Sequence, residues 1–216
     1  MPMKPNEREY RNFTLSVVEN ETETEEAKVV RGYASTFMEP YTLYEDSEIV
    51  IREQVAPDAF AETDMSDVIM QYDHRGRVFA RMSNGTLNVS PDDHGLSVFA
   101  DLGGTEIGRQ LYEEIKGGYT TKMSYGYTVP DDGESWEQTR LEDGRILQVR
   151  TVKRIKKVYD VSAVSLPAND GTEISVRNLS EGVIEQIKAE RLKALELERR
   201  RLETKLRLIT GGKNHE

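Results

Sequence analysis

Bulky apolar residues alternate with polar ones along much of the chain, and that two-residue period predicts strands over residues 11–18, 27–37 and 47–55. The acidic run 19–26 between the first two reads as a solvated hairpin tip. In the third, Ile49, Ile51 and Val55 interleave with Glu48 and Arg52. A short helix entered through Pro57 is predicted over 57–61. The compact apolar run 68–72 predicts a buried strand, ending in a turn at 73–77. Strands at 84–89 and 95–100 are joined through the turn-forming residues 91–95. Thr105 has the character of an N-cap, Ile107, Leu111 and Ile115 fall on one helical face, and Gly117 follows as a stop, so 105–115 predicts a helix. Further strands are predicted over 119–129, 146–159 and 161–166, with Pro167 ending the last. The expected fold class is β-rich α+β, a closed or nearly closed, mostly antiparallel β-barrel flanked by helices.

The pattern changes near residue 179. Residues 180–209 contain no proline and are rich in Glu, Lys, Arg and Leu, which predicts a long C-terminal helix. Leu192, Leu195, Leu202, Leu206 and Ile209 form one apolar stripe, interrupted by Arg199 and short of a full coiled coil. The expected organisation is a folded domain over 1–178 and an amphipathic helical tail over 179–216. Of 216 residues, 37% are hydrophobic, and the net charge of −10 argues against broad binding to phosphate backbones. No apolar run approaches the roughly 20 residues of a membrane span, and the N-terminal residues lack the apolar centre of a secretory signal. The expectation is therefore no nucleic-acid or membrane partner and a cytosolic setting. Without cysteine, disulfides, thiolate metal sites and cysteine nucleophiles are excluded. The scattered histidines and the absence of a glycine-rich phosphate loop leave neither metal nor cofactor expected.

Candidate chemistry centres on the strand over 119–129. Tyr119, Thr121, Met123, Tyr125, Tyr127 and Val129 lie on one side, Thr120, Lys122, Ser124, Gly126 and Thr128 on the other. A serine on a rigid strand beside a bare glycine is a plausible nucleophile, with Gly126 expected to leave room for a substrate strand. The plainer reading is a half-buried strand whose solvent face carries small polar residues. A serine needs a base, usually histidine, and only His74, His94 and His215 exist. His215 is terminal and His94 sits in a turn; His74 follows an apolar strand, from which it can reach a neighbouring site. Asp160, between two apolar stretches, is the stronger candidate for orienting the imidazole, and Asp73, adjacent to His74, the weaker.

Several pieces recur in a recognisable order: Arg31-Gly32-Tyr33-Ala34-Ser35-Thr36-Phe37, Pro57-Asp58-Ala59-Phe60, the strand leading to His74, Asp93-His94-Gly95-Leu96, and Lys116-Gly117-Gly118. Met123-Ser124-Tyr125-Gly126-Tyr127, Tyr159-Asp160-Val161-Ser162-Ala163-Val164 and Leu166-Pro167-Ala168-Asn169 complete the series. Over roughly residues 13–176 the chain resembles the tailed-phage prohead (procapsid) maturation proteases, serine peptidases related in fold to herpesvirus assemblin. It departs from many relatives in reading Tyr72-Asp73-His74-Arg75 around the base and in carrying aspartate at the acidic position. The resemblance implies Ser124 as nucleophile, His74 as base and Asp160 as the third member. The mechanism also requires oxyanion donors, for which backbone N–H groups in loops around the barrel are the default, with no residue assigned. The resemblance also implies partners: the scaffold or delta segment of the major capsid protein as substrate, the protease's own ends, and self-association. The implied setting is the assembling procapsid in the host cytoplasm. The rival expectation is a non-enzymatic capsid-assembly or scaffolding protein with a helical interaction arm.

Overall fold

The computed structural model describes residues 8–17 and 28–165, together with positions between 188 and 205. In the body, strands run in the order β1 (Glu9–Val17), β2 (Val29–Thr36), β3 (Tyr41–Glu45), β4 (Ile49–Val55), β5 (Ile69–Tyr72) and β6 (Arg75–Arg81). A 3₁₀ turn (Met82–Asn84) leads to β7 (Leu87–Pro91) and β8 (Gly95–Asp101), and then to helix α1 (Glu106–Lys116). The series ends with β9 (Lys122–Thr128), β10 (Glu134–Arg140), β11 (Ile146–Val152) and β12 (Lys157–Val164).

These strands form an eight-stranded sheet of order β6-β5-β12-β9-β1-β2-β8-β7 and a four-stranded sheet of order β10-β11-β4-β3. Most pairings are antiparallel, with β5–β12 and β4–β11 parallel. The fold is thus β-rich α+β as expected, but a closed barrel is not found. The larger sheet ends in β6 and β7, and no ladder joins them among the described residues. The 3₁₀ turn carries the chain from β6 to β7, closed by Gly85 N–H to Met82 O at 3.0 Å and tied to the start of β5 by Met82 N–H to Val68 O at 3.0 Å.

The core lies on the bulky faces of the strands: Val30, Met70, Met123, Tyr125, Val158 and Val161 are all buried in one cluster. Helix α1 buries Leu111, Tyr112 and Ile115 against it, and Thr105 caps its start by accepting from Gly108 N–H at 3.0 Å. Other boundaries differ from the pattern. Residues 57–61 form successive tight turns, with bonds such as Ala59 N–H to Ala56 O at 3.1 Å, and not a helix; this drives Ala59 and Phe60 into the core. The run 146–159 splits into β11 and the start of β12, because Lys153 and Arg154 N–H turn away to Gly133 O.

In the C-terminal unit, a long helix over 180–209 is not shown. The described positions there are helical, their unbroken stretch being 199–205, and the rest of that expectation lies outside the described residues. Leu192 and Leu202 are exposed. The acidic tip 19–26, residues 166–169 and His215 also lie outside the described residues. No described helix is long and apolar enough to cross a membrane.

Candidate active site

Strand β9 is held on both sides, antiparallel to β1 and to β12, so its backbone is fixed by two ladders. Its alternation is as read from the sequence, but both faces are buried. Met123, Tyr125 and Tyr127 enter the core; Ser124, 1% exposed, sits on the opposite face under other side chains and not toward solvent.

His74 reaches it from a hairpin tip. Tyr72 pairs with Arg75, leaving Asp73 and His74 as a two-residue turn with φ of 47° and 57°. A turn with both central residues left-handed matches the twist of the flanking strands but strains residues other than glycine by roughly 1–2 kcal/mol each. Contacts at the tip offset this strain. Asp73 N–H donates to Ala163 O at 2.9 Å, and the Asp73 carboxylate accepts from Ser165 N–H at 3.0 Å and from its hydroxyl. Asp73 therefore anchors the hairpin to the end of β12; its carboxylate turns to Ser165 and not to the imidazole. The result places His74 Nε2 2.7 Å from Ser124 Oγ.

Asp160 owes its position to a bulge. The β9–β12 register pairs Val158 with Tyr127, skips Tyr159, and resumes with Asp160 opposite Gly126 and Ser162 opposite Ser124. Because side chains alternate, an unbulged strand would turn Asp160 into the core beside Tyr125. With the bulge, it faces the same way as Ser124, and its Oδ1 is hydrogen-bonded to His74 Nδ1. Ser162 donates to that same oxygen at 3.0 Å. With the proton of the neutral imidazole on Nδ1, facing the carboxylate, the Nε2 lone pair is left for the Ser124 hydroxyl. The structure thus brings together Ser124, His74 and Asp160. His94 sits in the β7–β8 turn, its ring edge-on to Tyr33.

Two neighbours complete the cluster. The Tyr10 ring, from β1, lies 4.1 Å from the His74 ring centroid to centroid. A Cβ on Gly126 would come within 2.5 Å of Asp160 Oδ2 and 2.9 Å of Tyr10 Cε1. The bare glycine is therefore needed to seat the carboxylate and the tyrosine, which corrects the expectation that it leaves a path for substrate. Tyr10 was not anticipated, although its pairing opposite Gly126 follows once β1 is laid beside β9.

The other face of the same two strands carries a cluster that sequence reading missed entirely. Glu9 and Arg11 of β1 meet Glu53 of β4 and Arg150 of β11, all buried. Arg11 donates to Glu53 at 2.8 Å and to Glu9 at 2.9 Å; Arg150 donates to Glu9 at 2.8 Å and to Glu134 at 2.6 Å. Tyr41 and Tyr127 hydroxyls add bonds to Glu53. Burial alone would push the Glu53 carboxyl up, but the Arg11 and Arg150 guanidiniums outweigh it and hold it at about 2. Both tyrosine hydroxyls are pushed well up, chiefly by burial. The cluster ties the larger sheet to the smaller one. The sequence does hold one signal of it: Glu53 falls in phase with Ile49, Ile51 and Val55, the apolar face of its strand.

Among the described residues no group of three or more histidine or acidic side chains is arranged to hold a metal ion. The chemistry available to Ser124, His74 and Asp160 is that of an activated hydroxyl with an oriented base, which suits acyl transfer. No curated protein and no solved structure matches the chain significantly. Residues 13–188, which include all three of these side chains, match the family described as caudovirus prohead serine protease. That span is most of the chain, and the chain therefore belongs to the caudovirus prohead serine proteases, a family of serine peptidases that act in capsid maturation.

Proposed function

We propose that the chain is an endopeptidase that cuts scaffold or delta-domain segments of the major capsid protein, and its own ends, inside the assembling procapsid. The observation that carries this reading is the 2.7 Å approach of His74 Nε2 to Ser124 Oγ with Asp160 on the far ring nitrogen. In the first step His74 takes the Ser124 proton as Oγ attacks the scissile carbonyl carbon. As the tetrahedral intermediate collapses, the C–N bond breaks, the imidazolium returns its proton to the leaving amine, and an ester to Ser124 remains. Water then attacks that ester, losing a proton to His74; as the C–O bond breaks, the imidazolium returns that proton to Ser124 Oγ and the product leaves as a carboxylic acid, which ionises in solvent. Asp160 stabilises the imidazolium in both halves. Ser162 holds the carboxylate in place, and Gly126 makes room for it.

The body over 1–178 carries this chemistry, and the tail over 179–216 directs the enzyme into the shell and is later removed. Co-expression with the capsid protein tests the reading: the wild type converts the capsid protein to a shorter form, and Ser124→Ala leaves it intact. The same uncleaved pattern from both contradicts it. For the tail, a chain ending at Asn178 is expected to be lost from procapsids. Incorporation as efficient as that of the full chain would sink that role.

A further inference from the structure

Tyr10 stands on β1 between Glu9 and Arg11, and the three side chains alternate across the sheet. Glu9 and Arg11 enter the inner face, where both are buried and bonded, Glu9 to Arg150 and Arg11 to Glu53. Arg11 also donates to the Tyr10 carbonyl at 2.8 Å, and the ladder to β9 sets Tyr10 opposite Gly126. The backbone of Tyr10 is thereby fixed through its neighbours, and its ring is delivered to the face that carries Ser124, His74 and Asp160. Tyr10 precedes residues 13–188, the span matched to the family, so that match gives it no role.

Three observations give the ring a task. First, His74 is hydrogen-bonded at both ring nitrogens, Nδ1 to Asp160 and Nε2 to Ser124. Such bonds act in the plane of the ring, and neither opposes tilting of the imidazole about the line through its two nitrogens. Second, the Tyr10 and His74 centroids are 4.1 Å apart with the ring planes inclined at 53°. That is too close for the rings to meet edge to edge, so the contact blocks tilting on its side. Third, Tyr10 Cε1 and Asp160 Oδ2 both crowd the space above Gly126, where a Cβ would stand 2.9 Å from one and 2.5 Å from the other. The ring thus lies beside the carboxylate as well as the imidazole, whose side chains are 2% and 15% exposed.

Resting on the protease reading above, we infer that Tyr10 is a positioning residue for His74. Its ring keeps the imidazole in the plane that joins Asp160 to Ser124. It also keeps water off the His74–Asp160 hydrogen bond, which drier surroundings strengthen. The contribution belongs to the ring and not to the hydroxyl, since it is the ring that meets His74 and lies over Gly126.

The test is the rate at which a fluorophosphonate labels Ser124 in the full-length protein, followed by mass spectrometry in the wild type, Tyr10→Phe and Tyr10→Ala. At equal folded fraction by circular dichroism, Tyr10→Phe is expected within about threefold of the wild type and Tyr10→Ala about 10- to 100-fold slower. Proton NMR adds a reading specific to the His74–Asp160 bond. The far-downfield resonance of the His74 Nδ1 proton should persist in the wild type and Tyr10→Phe and be lost to exchange with water in Tyr10→Ala. Labelling of Tyr10→Ala at the wild-type rate, or retention of that resonance in it, overturns the inference while the protease reading stands. So does a Tyr10→Phe protein as slow as Tyr10→Ala, which would assign the effect to the hydroxyl. An unlabelled wild type overturns both. Should Tyr10→Ala fail to fold, Tyr10→Leu, which keeps apolar bulk without a ring, must show the slowed labelling, and a wild-type rate there overturns the inference.

Discussion

Strands β1 and β9 carry a buried polar cluster on each face, and the two clusters handle buried charge in opposite ways. On the inner face, Glu9, Glu53 and Glu134 each touch a guanidinium of Arg11 or Arg150, three acids to two bases, with tyrosine hydroxyls bonded to Glu53 as well. Each carboxylate there contacts a permanently charged guanidinium, and the cluster joins the two sheets. On the other face, the buried Asp160 has an imidazole and the Ser162 hydroxyl as hydrogen-bond partners, and no guanidinium. In the proposed acyl transfer, its counter-charge is the imidazolium that forms when His74 takes the Ser124 proton. On the proposed function one face serves the fold and the other serves chemistry, and substitutions should divide along the same line.

The largest expected effect lies on the chemical face. Ser124→Ala should lower peptide turnover by about 10⁴-fold or more while changing unfolding free energy by less than about 1 kcal/mol, measured by peptide cleavage and urea titration. A comparable loss of stability would erase the contrast. On the inner face, Arg150→Ala leaves Glu9, Glu53 and Glu134 facing one another with Arg11 alone. It should cost about 3–5 kcal/mol in urea unfolding, with activity lost only in step with the folded fraction.

Acid should sharpen the same division. Burial raises the Glu53 carboxyl, but Arg11 and Arg150 bring it down to about 2, below its ordinary 4.5. A carboxylate depressed in the fold contributes stability that is full above its unfolded pKa and lost as pH falls through the folded one. Stability should thus decline between about pH 4.5 and 2, by on the order of 3 kcal/mol from this group. Glu53→Gln should flatten the profile, and an unchanged acid limb in that variant would show that the network does not control it. The smallest of these effects is local. Gly126→Ala pushes a methyl against Asp160 and Tyr10 and should lower turnover about 10²-fold by displacing the carboxylate, with stability down by about 1–3 kcal/mol. Normal turnover in a folded Gly126→Ala protein would mean that Asp160 need not sit where it does.

The two clusters were also unequally legible in the sequence. The Ser124 strand could be read from its alternation, and α1 from Thr105 and its apolar face, because both signals are local. Asp160 could be picked out because it stands between two apolar stretches, where an unpaired carboxylate would be costly. The bulge at Tyr159, which puts it opposite Gly126, depends on the partner strand and leaves no local mark. The closed barrel was over-read, since alternation fixes which side of a strand is buried and not whether the outermost strands meet. The inner network escaped because Glu9, Arg11 and Arg150 read as ordinary solvent-facing charges until β1, β4 and β11 are brought together. Glu53, on the apolar phase of its strand, was the one visible exception.

The most direct test of the central claim is labelling with a fluorophosphonate, which reacts with a serine hydroxyl only where a base activates it. The wild type should carry one adduct, located to Ser124 by peptide mass spectrometry, and His74→Ala should abolish it. An unlabelled wild type, or equal labelling of Ser124 in His74→Ala, would contradict the assignment of Ser124 and His74 as nucleophile and base.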